Sequence, residues 1–406
     1  MKKYNTVKTY FETILSNHPT ENCEVSLNLD QIDITATYED ENYIGFDGIS
    51  TSEEGCCKHC GQVISMVKDY KTSCTTIARY NAKNIVLRLL KTMYYCPDCK
   101  ASTTERLLDV KGSQQKTEGF LKSMIKSLKE TVTYSAVSRI YKVSISNVIR
   151  HFDKAELRET WVDPRGVRNL SIDEVRFIKL KHANYQCVLM DADTRKVIAI
   201  LWTRQQNIVK EEVSAMFPRL DTITQDLWSP YRSMARSCFP DAKVIADPFH
   251  VVRQFMWAYS RTRVALAKQQ GLQTNKRWKL LTKRYGSLDQ RGRDKVDLLL
   301  EDNLPLKLAY EAKELALAMF SCKDKSLYVE LLEIFKDFID EHRLDEFQTA
   351  YTSAKNWHGE ILNMFDYNYS NGAIERTNRV IKQSKNIAFG FLNLPRATKL
   401  VQYRMN

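Results

Sequence analysis

The stretch from Asn169 to His250 constrains the fold more than any other. NLSIDEVRFIKLKHANYQCVLMDADTRKVIAILWT, residues 169–203, reads as three strands joined by two tight turns. NIVKEEVSAMF follows as a helix and DTITQD as a short strand ending in Asp226. WSPYRSMARSCF is a second helix with Pro230 in its first turn, where proline is tolerated, and AKVIADPFH is a strand ending in Asp247 and His250. In an α/β sheet, groups at the carboxyl ends of strands gather at one crevice. Asp226 and Asp247 occupy such ends, and the Asp173 strand is expected to run between them. Asp173 is itself anomalous, because it interrupts an apolar run between Ile172 and Val175. Aspartate is depleted from strands and rarely buried without a partner. A buried carboxylate there needs compensation from a metal ion or hydrogen bonds; a solvent-facing residue explains Asp173, taken alone, equally well. Asp191 and Asp193 fall at the second turn, where aspartate is ordinary turn chemistry. Glu174 points to the opposite face of its strand and is left outside the candidate site.

Upstream, CKHC (Cys57 to Cys60) and CPDC (Cys96 to Cys99) stand thirty-five residues apart. The N-terminus lacks a secretory h-region and no run of about 18 apolar residues exists, so a cytoplasmic chain with reduced cysteines is expected. Each CxxC is a turn that brings two thiolates onto one ion, and two of them complete a tetrahedral zinc site. The β-rich segment between them implies a large hairpin, so residues 56–105 are expected to form a zinc-ribbon-like domain with a structural Zn2+ on Cys57, Cys60, Cys96 and Cys99. Cys56 adjoins the turn and cannot easily share its geometry. Residues 1–55 carry eleven Asp or Glu against three Lys, a net −8, so the rest of the chain holds +20 of the total +12. A basic body suits a polyanion partner. The acidic segment itself reads as a short helix over 4–16 and irregular strands over 22–50.

Residues 115–155 read as helices. TYSAVSRIY and SISNVIRHFDK are joined by Lys142-Val143, with Ser144 or Ser146 capping the second. Val137, Ile140, Val143, Ile145, Val148 and Ile149 would form a small core. This suits a helix-turn-helix whose second helix turns Ser146, Asn147, Arg150 and His151 toward a DNA groove; an ordinary helical linker is the alternative. WVDPRGVRN is a linker. Residues 251–368 are almost wholly helical by period, interrupted at Pro305, and RTRVALAKQQ and NKRWKLLTKRYG interleave Trp278 and Tyr285 with lysines and arginines. That composition suits nucleic acid or a solvated helix face.

In SNGAIERTNRVIKQSKNIAFGFLNLPRATKL a helix begins at Ser370 or Asn371, with Ala373, Ile374, Thr377, Val380 and Ile381 on its packed side. Glu375, Asn378, Arg379 and Lys382 follow at three- and four-residue steps and share another face. An acid on a basic face fits metal beside phosphates, or a plain surface ion pair.

The element order of residues 169–250 is that of the RNase H fold. Together with CKHC…CPDC, the helical pair, SIDEVRF, QDLWSPYRSMARSCFPDAKVIADPFHVV and SNGAIERTNRVIKQSKNIAFGF, it resembles insertion-sequence transposases of the DDE class, closely the ISL-three family. The resemblance spans nearly the whole chain. It implies an RNase H-like catalytic core (165–250 and 369–406) with a large all-α insertion (251–368), preceded by the zinc ribbon and the helix-turn-helix. By motif match it assigns catalysis and Mg2+ or Mn2+ binding to Asp173, Asp226 and Glu375. Asp247, His250 and Asn378 would stand behind them, and Arg376, Arg379, Lys382 and Lys385 would meet phosphates. Two ions about 4 Å apart activate the attacking and leaving oxygens of such a reaction. The expected partners are double-stranded DNA, as terminal inverted repeats and as target, and at least a second copy of the chain. A DNA-binding regulator with an inactive body, or a nuclease without strand transfer, shares most of these features.

Overall fold

A computed structural model describes residues 31–105, 115–130, 133–181, 183–269, 276–367, 369–387 and 393–406. The helix expected over 4–16 lies outside them. The chain divides into two units, Met1–Leu157 and Arg158–Asn406.

The first unit is built on a long antiparallel hairpin. Strands β5 (Val67–Tyr80) and β6 (Lys83–Cys96) turn at Asn81 and Ala82, both at positive φ (44° and 67°). Left-handed backbone at both central positions matches the right-handed twist of the flanking strands. Strands β1 (Ile32–Glu39) and β2 (Tyr43–Ser50) complete the order β1-β2-β6-β5, with β2 parallel to β6. The separate acidic segment expected up to residue 55 is therefore corrected: its strands are regular and belong to the hairpin's sheet. Ile32, Ile34, Ile44 and Phe46 turn inward onto Ile77, Ile85, Leu87 and Leu89. Two short strands, β3 (Gly55–Cys56) and β4 (Val63–Ile64), pair with each other, and β7 (Ala101–Thr104) adds to β6.

Helices α1 (Glu118–Lys126), α2 (Tyr134–Tyr141) and α3 (Ile145–Lys154) follow, capped by Thr117, Thr133 and Ser144. Between α2 and α3, Lys142 adopts φ 51° and the Val143 N–H donates to Ser138 O at 3.1 Å. The core differs from expectation: Ile140 and Ile145 are 38% and 44% exposed. Phe120, Met124, Leu128, Tyr141 and Phe152 join Val137 and Val148 instead. The buried pairs 137/141 and 148/152 are each four residues apart, and Ile140 and Ile145 lie off that stripe.

In the second unit, β8 (Asn169–Val175), β9 (Gln186–Asp191), β10 (Val197–Leu201), β11 (Thr222–Gln225) and β12 (Lys243–Ala246) form one sheet in the order β10-β9-β8-β11-β12. The first three are antiparallel; β11 and β12 run parallel to β8. This corrects one expectation: β11, which leads to Asp226, lies between β8 and β12. With β9 already on one edge of β8, the chain returning through α4 (Gln206–Met216) takes its free edge. After α5 (Ser229–Cys238) it takes the next. The β8–β9 connection is also no tight turn. It spans residues 176–185, where Gln186 Oε1 accepts the N–H groups of Phe177 and Ile178 at 3.0 Å each.

One sheet face packs Leu170, Ile172, Leu189 and Ile223 against α4 and α5. The other packs Val175, Val188 and Met190 against Ile374 and Ile381 of α12 (Gly372–Ile387) and Ala397 and Val401 of α13 (Leu394–Met405). Helix α6 (Pro248–Gln269) leaves β12 without a break, so His250 sits in a helix rather than at a strand end. It joins α7 (Gln290–Glu301), α8 (Leu304–Met319), α9 (Lys325–Glu341), α10 (Asp345–Asn356) and α11 (His358–Asp366) around Phe255, Tyr259, Tyr310, Tyr328 and Phe335. Pro305 stands in the first turn of α8 and so starts a helix rather than interrupting one.

Candidate active site and cysteine cluster

Alternation along β8 sends Ile172 toward α4 and α5 and Asp173 toward α12. Asp173 is 6% exposed. Its Oδ2 accepts Asn378 Nδ2 at 2.7 Å and its Oδ1 accepts the Glu174 N–H at 2.7 Å. Burial pushes its carboxyl up to about 6; the Glu174 N–H opposes this, and the charges of Asp247, Glu174 and Glu375 reinforce it.

Asp226 and Asp247 follow the last residues of β11 and β12, at the same sheet end. Asp247 is 1% exposed; its N–H donates to Gln225 O at 2.8 Å and its Oδ1 accepts the Asn371 N–H at 3.3 Å. Asn371 also donates through Nδ2 to Ile172 O at 3.2 Å, which ties the start of α12 to β8. Burial pushes Asp247 up to about 6. It pushes Asp226 up to about 7, helped by the charges of Glu174 and Asp173 and opposed by Arg253.

Glu375 lies in the first turn of α12, where the helix dipole favours an acid. One carboxylate oxygen each of Asp247 and Glu375 and one ring nitrogen of His250 lie within 4.8 Å of one another. Neither Asp173 nor Asp226 is in that tight group; charge links Asp226 to Asp173 and Asp247, and Asp173 to Asp247 and Glu375. His250 Nε2 stands 3.5 Å from Asp247 Oδ2, and its Nδ1 stands 2.7 Å from the Arg253 guanidinium. A guanidinium only donates, so Nδ1 accepts and the ring proton sits on Nε2, toward Asp247. Burial and the Arg253 charge push His250 down to about 4, so the ring is neutral near pH 7.

Among the described residues, Asp226 Oδ1, Asp247 Oδ2, Glu174 Oε1 and Asn378 Oδ1 are buried and accept no hydrogen bond. Buried oxygens short of donors are the ligand set a hard divalent cation takes. Asp173, Asp226, Asp247 and Glu375 are the residues suited to hold one.

Three contributors escaped the sequence reading. Glu174 does lie on the other sheet face, where it pairs with Arg204 at 2.6 Å, yet it exerts the largest charge effect on Asp226. Asn371 and Arg253 act through hydrogen bonds that no spacing announces. Arg376, Arg379 and Lys382 are exposed on α12. In the first unit, Ser146 and Arg150 are exposed on α3, with the Arg150 guanidinium donating to Asn147 Oδ1.

That unit also gathers Cys57, Cys60, Cys96 and Cys99, whose sulfurs lie within 4.8 Å of one another. Cys60 Sγ and Cys96 Sγ are 3.8 Å apart. Tetrahedral zinc with bonds of about 2.3 Å sets its sulfurs about 3.8 Å apart. The first turn closes through Gly61 at φ 76°, with its N–H donating to Cys57 O at 2.9 Å; Lys100, at φ 48°, follows the second pair. Backbone N–H groups of Cys60 and His59 pull the Cys57 thiol down to about 6, which favours the thiolate a metal needs. Cys99, half-buried and hydrogen-bonded to Cys60, is pushed up to about 12. Cys56 Sγ turns away, toward Gly61 O at 3.3 Å.

A family model described as a transposase of the ISL3 type matches residues 170–398, and the chain belongs to that family. It is also 22% identical over 360 residues to the transposase for insertion sequence element IS1001 of Bordetella parapertussis, covering 84% of this chain and 86% of that protein. Among the described residues no helix is long and apolar enough to cross a membrane.

Proposed function

We propose that this protein is a DNA transposase that binds the terminal inverted repeats of an insertion sequence, cleaves DNA at the element ends and joins the freed ends to target DNA. The observation that carries the reading is the set of buried oxygens short of donors at one end of the sheet. The sheet order, three antiparallel strands followed by two parallel ones, is read as an RNase H-like core.

In this reading Asp173, Asp226 and Glu375 hold divalent ions, and Asp247 joins them because its Oδ2 accepts no hydrogen bond and it groups closely with Glu375. Magnesium or manganese bound there supplies an activated water and neutralises charge on the attacking and leaving oxygens. The protein's own share is alignment. Asn378 fixes the rotamer of Asp173, Asn371 fixes that of Asp247, and Arg253 holds His250 in the tautomer whose Nε2–H faces Asp247. Water displaces the 3′ oxygen from phosphorus, and the freed 3′-hydroxyl then attacks a target phosphodiester.

Arg376, Arg379 and Lys382 take phosphates beside the acids. Ser146, Asn147 and Arg150 on α3, the second helix of a helix-turn-helix, read the repeats, and zinc on the four cysteines shapes the same unit. Holding two element ends requires at least a dimer, acting on the nucleoid in the cytoplasm.

The test is cleavage of labelled DNA carrying the flanking terminal repeats, with magnesium or manganese, comparing the protein with Asp226→Asn. Metal-dependent nicking at the repeat end, lost in the variant while binding persists, is the expected result. Equal binding with no cleavage by either protein would favour a DNA-binding regulator.

The acids also predict a proton count. Carboxyls at about 6 to 7 retain protons below that range, and a metal must displace them. Magnesium affinity of the zinc-loaded protein should therefore rise with pH through about 6 to 7 and level off above. Calorimetry in two buffers of different ionisation enthalpy should show proton release near pH 6 that vanishes by about pH 8.5. Release that does not change with pH would remove these acids from the ion site.

A further inference from the structure

Helix α6 carries a feature that the cutting reaction does not use. None of its twenty-two residues is Asp or Glu. Phe249, Arg253, Trp257, Arg261, Val264 and Lys268 follow one another at three- and four-residue steps and form one stripe. The large apolar members face solvent: Phe249 and Trp257 are each 53% exposed and Val264 is 45% exposed. The Arg253 guanidinium lies over both rings, 5.6 Å from Phe249 and 4.9 Å from Trp257. Beyond Trp257 the stripe opens into a groove of about 430 Å³. Arg261 meets Glu346 of α10 at 2.6 Å, the acid that borders this face.

We propose that this stripe is a track for single-stranded DNA, on which the strand leaving the acidic site stacks its bases. This rests on the function proposed above. Exposed rings alternating with cations bind a polyanion whose bases have a free face. In a duplex the base faces are covered, so the rings select unpaired nucleotides. The track is continuous with the site, because Arg253 also holds His250 and α6 begins directly after Asp247. A second copy of the chain is the competing occupant, but a cationic stripe with no acid in its own helix does not complement itself.

The experiment is fluorescence anisotropy with the full zinc-loaded protein in buffer free of magnesium and manganese, using a short labelled single strand of mixed sequence and a blunt duplex of the same sequence. Trp257→Ala should weaken single-strand binding about tenfold and leave the duplex within about twofold, while Trp257→Phe should restore most of the loss. Lys268→Ala should weaken the single strand and lower its salt dependence. Unchanged single-strand affinity in Trp257→Ala, or equal loss on both probes, would overturn the proposal. So would a change in solution mass of Trp257→Ala by light scattering without a change in single-strand binding, since the face would then be a subunit contact. The assay contains no magnesium or manganese and scores no cleavage, so it succeeds or fails independently of the cutting reaction.

Discussion

Asp173→Asn should lower DNA cleavage by about a thousandfold or more, with DNA binding intact. The substitution keeps the shape of the side chain and removes one charge from among the acids at this end of the sheet. Asp173 is the acid that Asn378 holds and that the charges of Asp247 and Glu375 both reach. Without magnesium the protein should not suffer. A carboxyl forced up to about 6 by burial and like charges is poorly placed without an ion, so the melting temperature in buffer free of magnesium and manganese should match or exceed that of the parent. Magnesium should then raise it less than in the parent. Asn378→Ala, which frees the Asp173 rotamer and gives up a longer bond to Glu174 O, should cost about tenfold in cleavage. Cleavage by Asp173→Asn within tenfold of the parent would sink the assignment.

Cys96→Ser should release the zinc and unfold the cysteine turns while sparing the hairpin behind them. Cys96 ends β6, is fully buried and lies 3.8 Å from Cys60. Structural zinc contributes on the order of 10 kcal/mol to small zinc domains. Here part of the sheet has its own core in Ile77, Ile85, Leu87 and their neighbours, whereas β3 and β4 have two residues each. The damage should therefore be local. Metal analysis should find one zinc per chain in the parent and none in the variant. Proteolysis should open between residues 51 and 66, while amides of residues 77–89 keep their protection from hydrogen exchange. Stoichiometric zinc in Cys96→Ser would show that the four-thiolate reading is wrong.

What the sequence disclosed was local. Two CxxC pairs announce a turn each, and the strand and helix periods of residues 169–250 predict the elements of the second sheet. What it hid was pairing across distance. The acids of residues 31–55 masked the inward turn of Ile32, Ile34, Ile44 and Phe46, on a strand pair that joins the sheet through β6, some forty residues beyond β2. The position of β11 depends on which edge of β8 is free, a property of the assembled sheet. Ile140 and Ile145 looked like core because they are apolar, but aromatic residues at four-residue steps filled that space first. The acids drew attention by their charge, whereas Asn371 and Asn378, which orient them, are ordinary residues until α12 is laid beside β8. The period-two rule put Glu174 on the right face, but charge acts beyond the face that a side chain occupies.

The hydrogen bonds that orient the acids have a bearing on synthesis. Asn378 reaches Asp173 across 205 positions of sequence and Asn371 reaches Ile172 across 199. On the ribosome, the sheet strands and their three aspartates emerge long before α12, and the whole helical bundle is translated in between. A nascent chain, or one cut short before residue 371, can display the first unit but has neither Glu375 nor the two asparagines. Its strands end in crowded, unoriented carboxylates. On the function proposed above, DNA recognition would be available early and the cutting apparatus only late, so that unfinished chains would occupy DNA without breaking it.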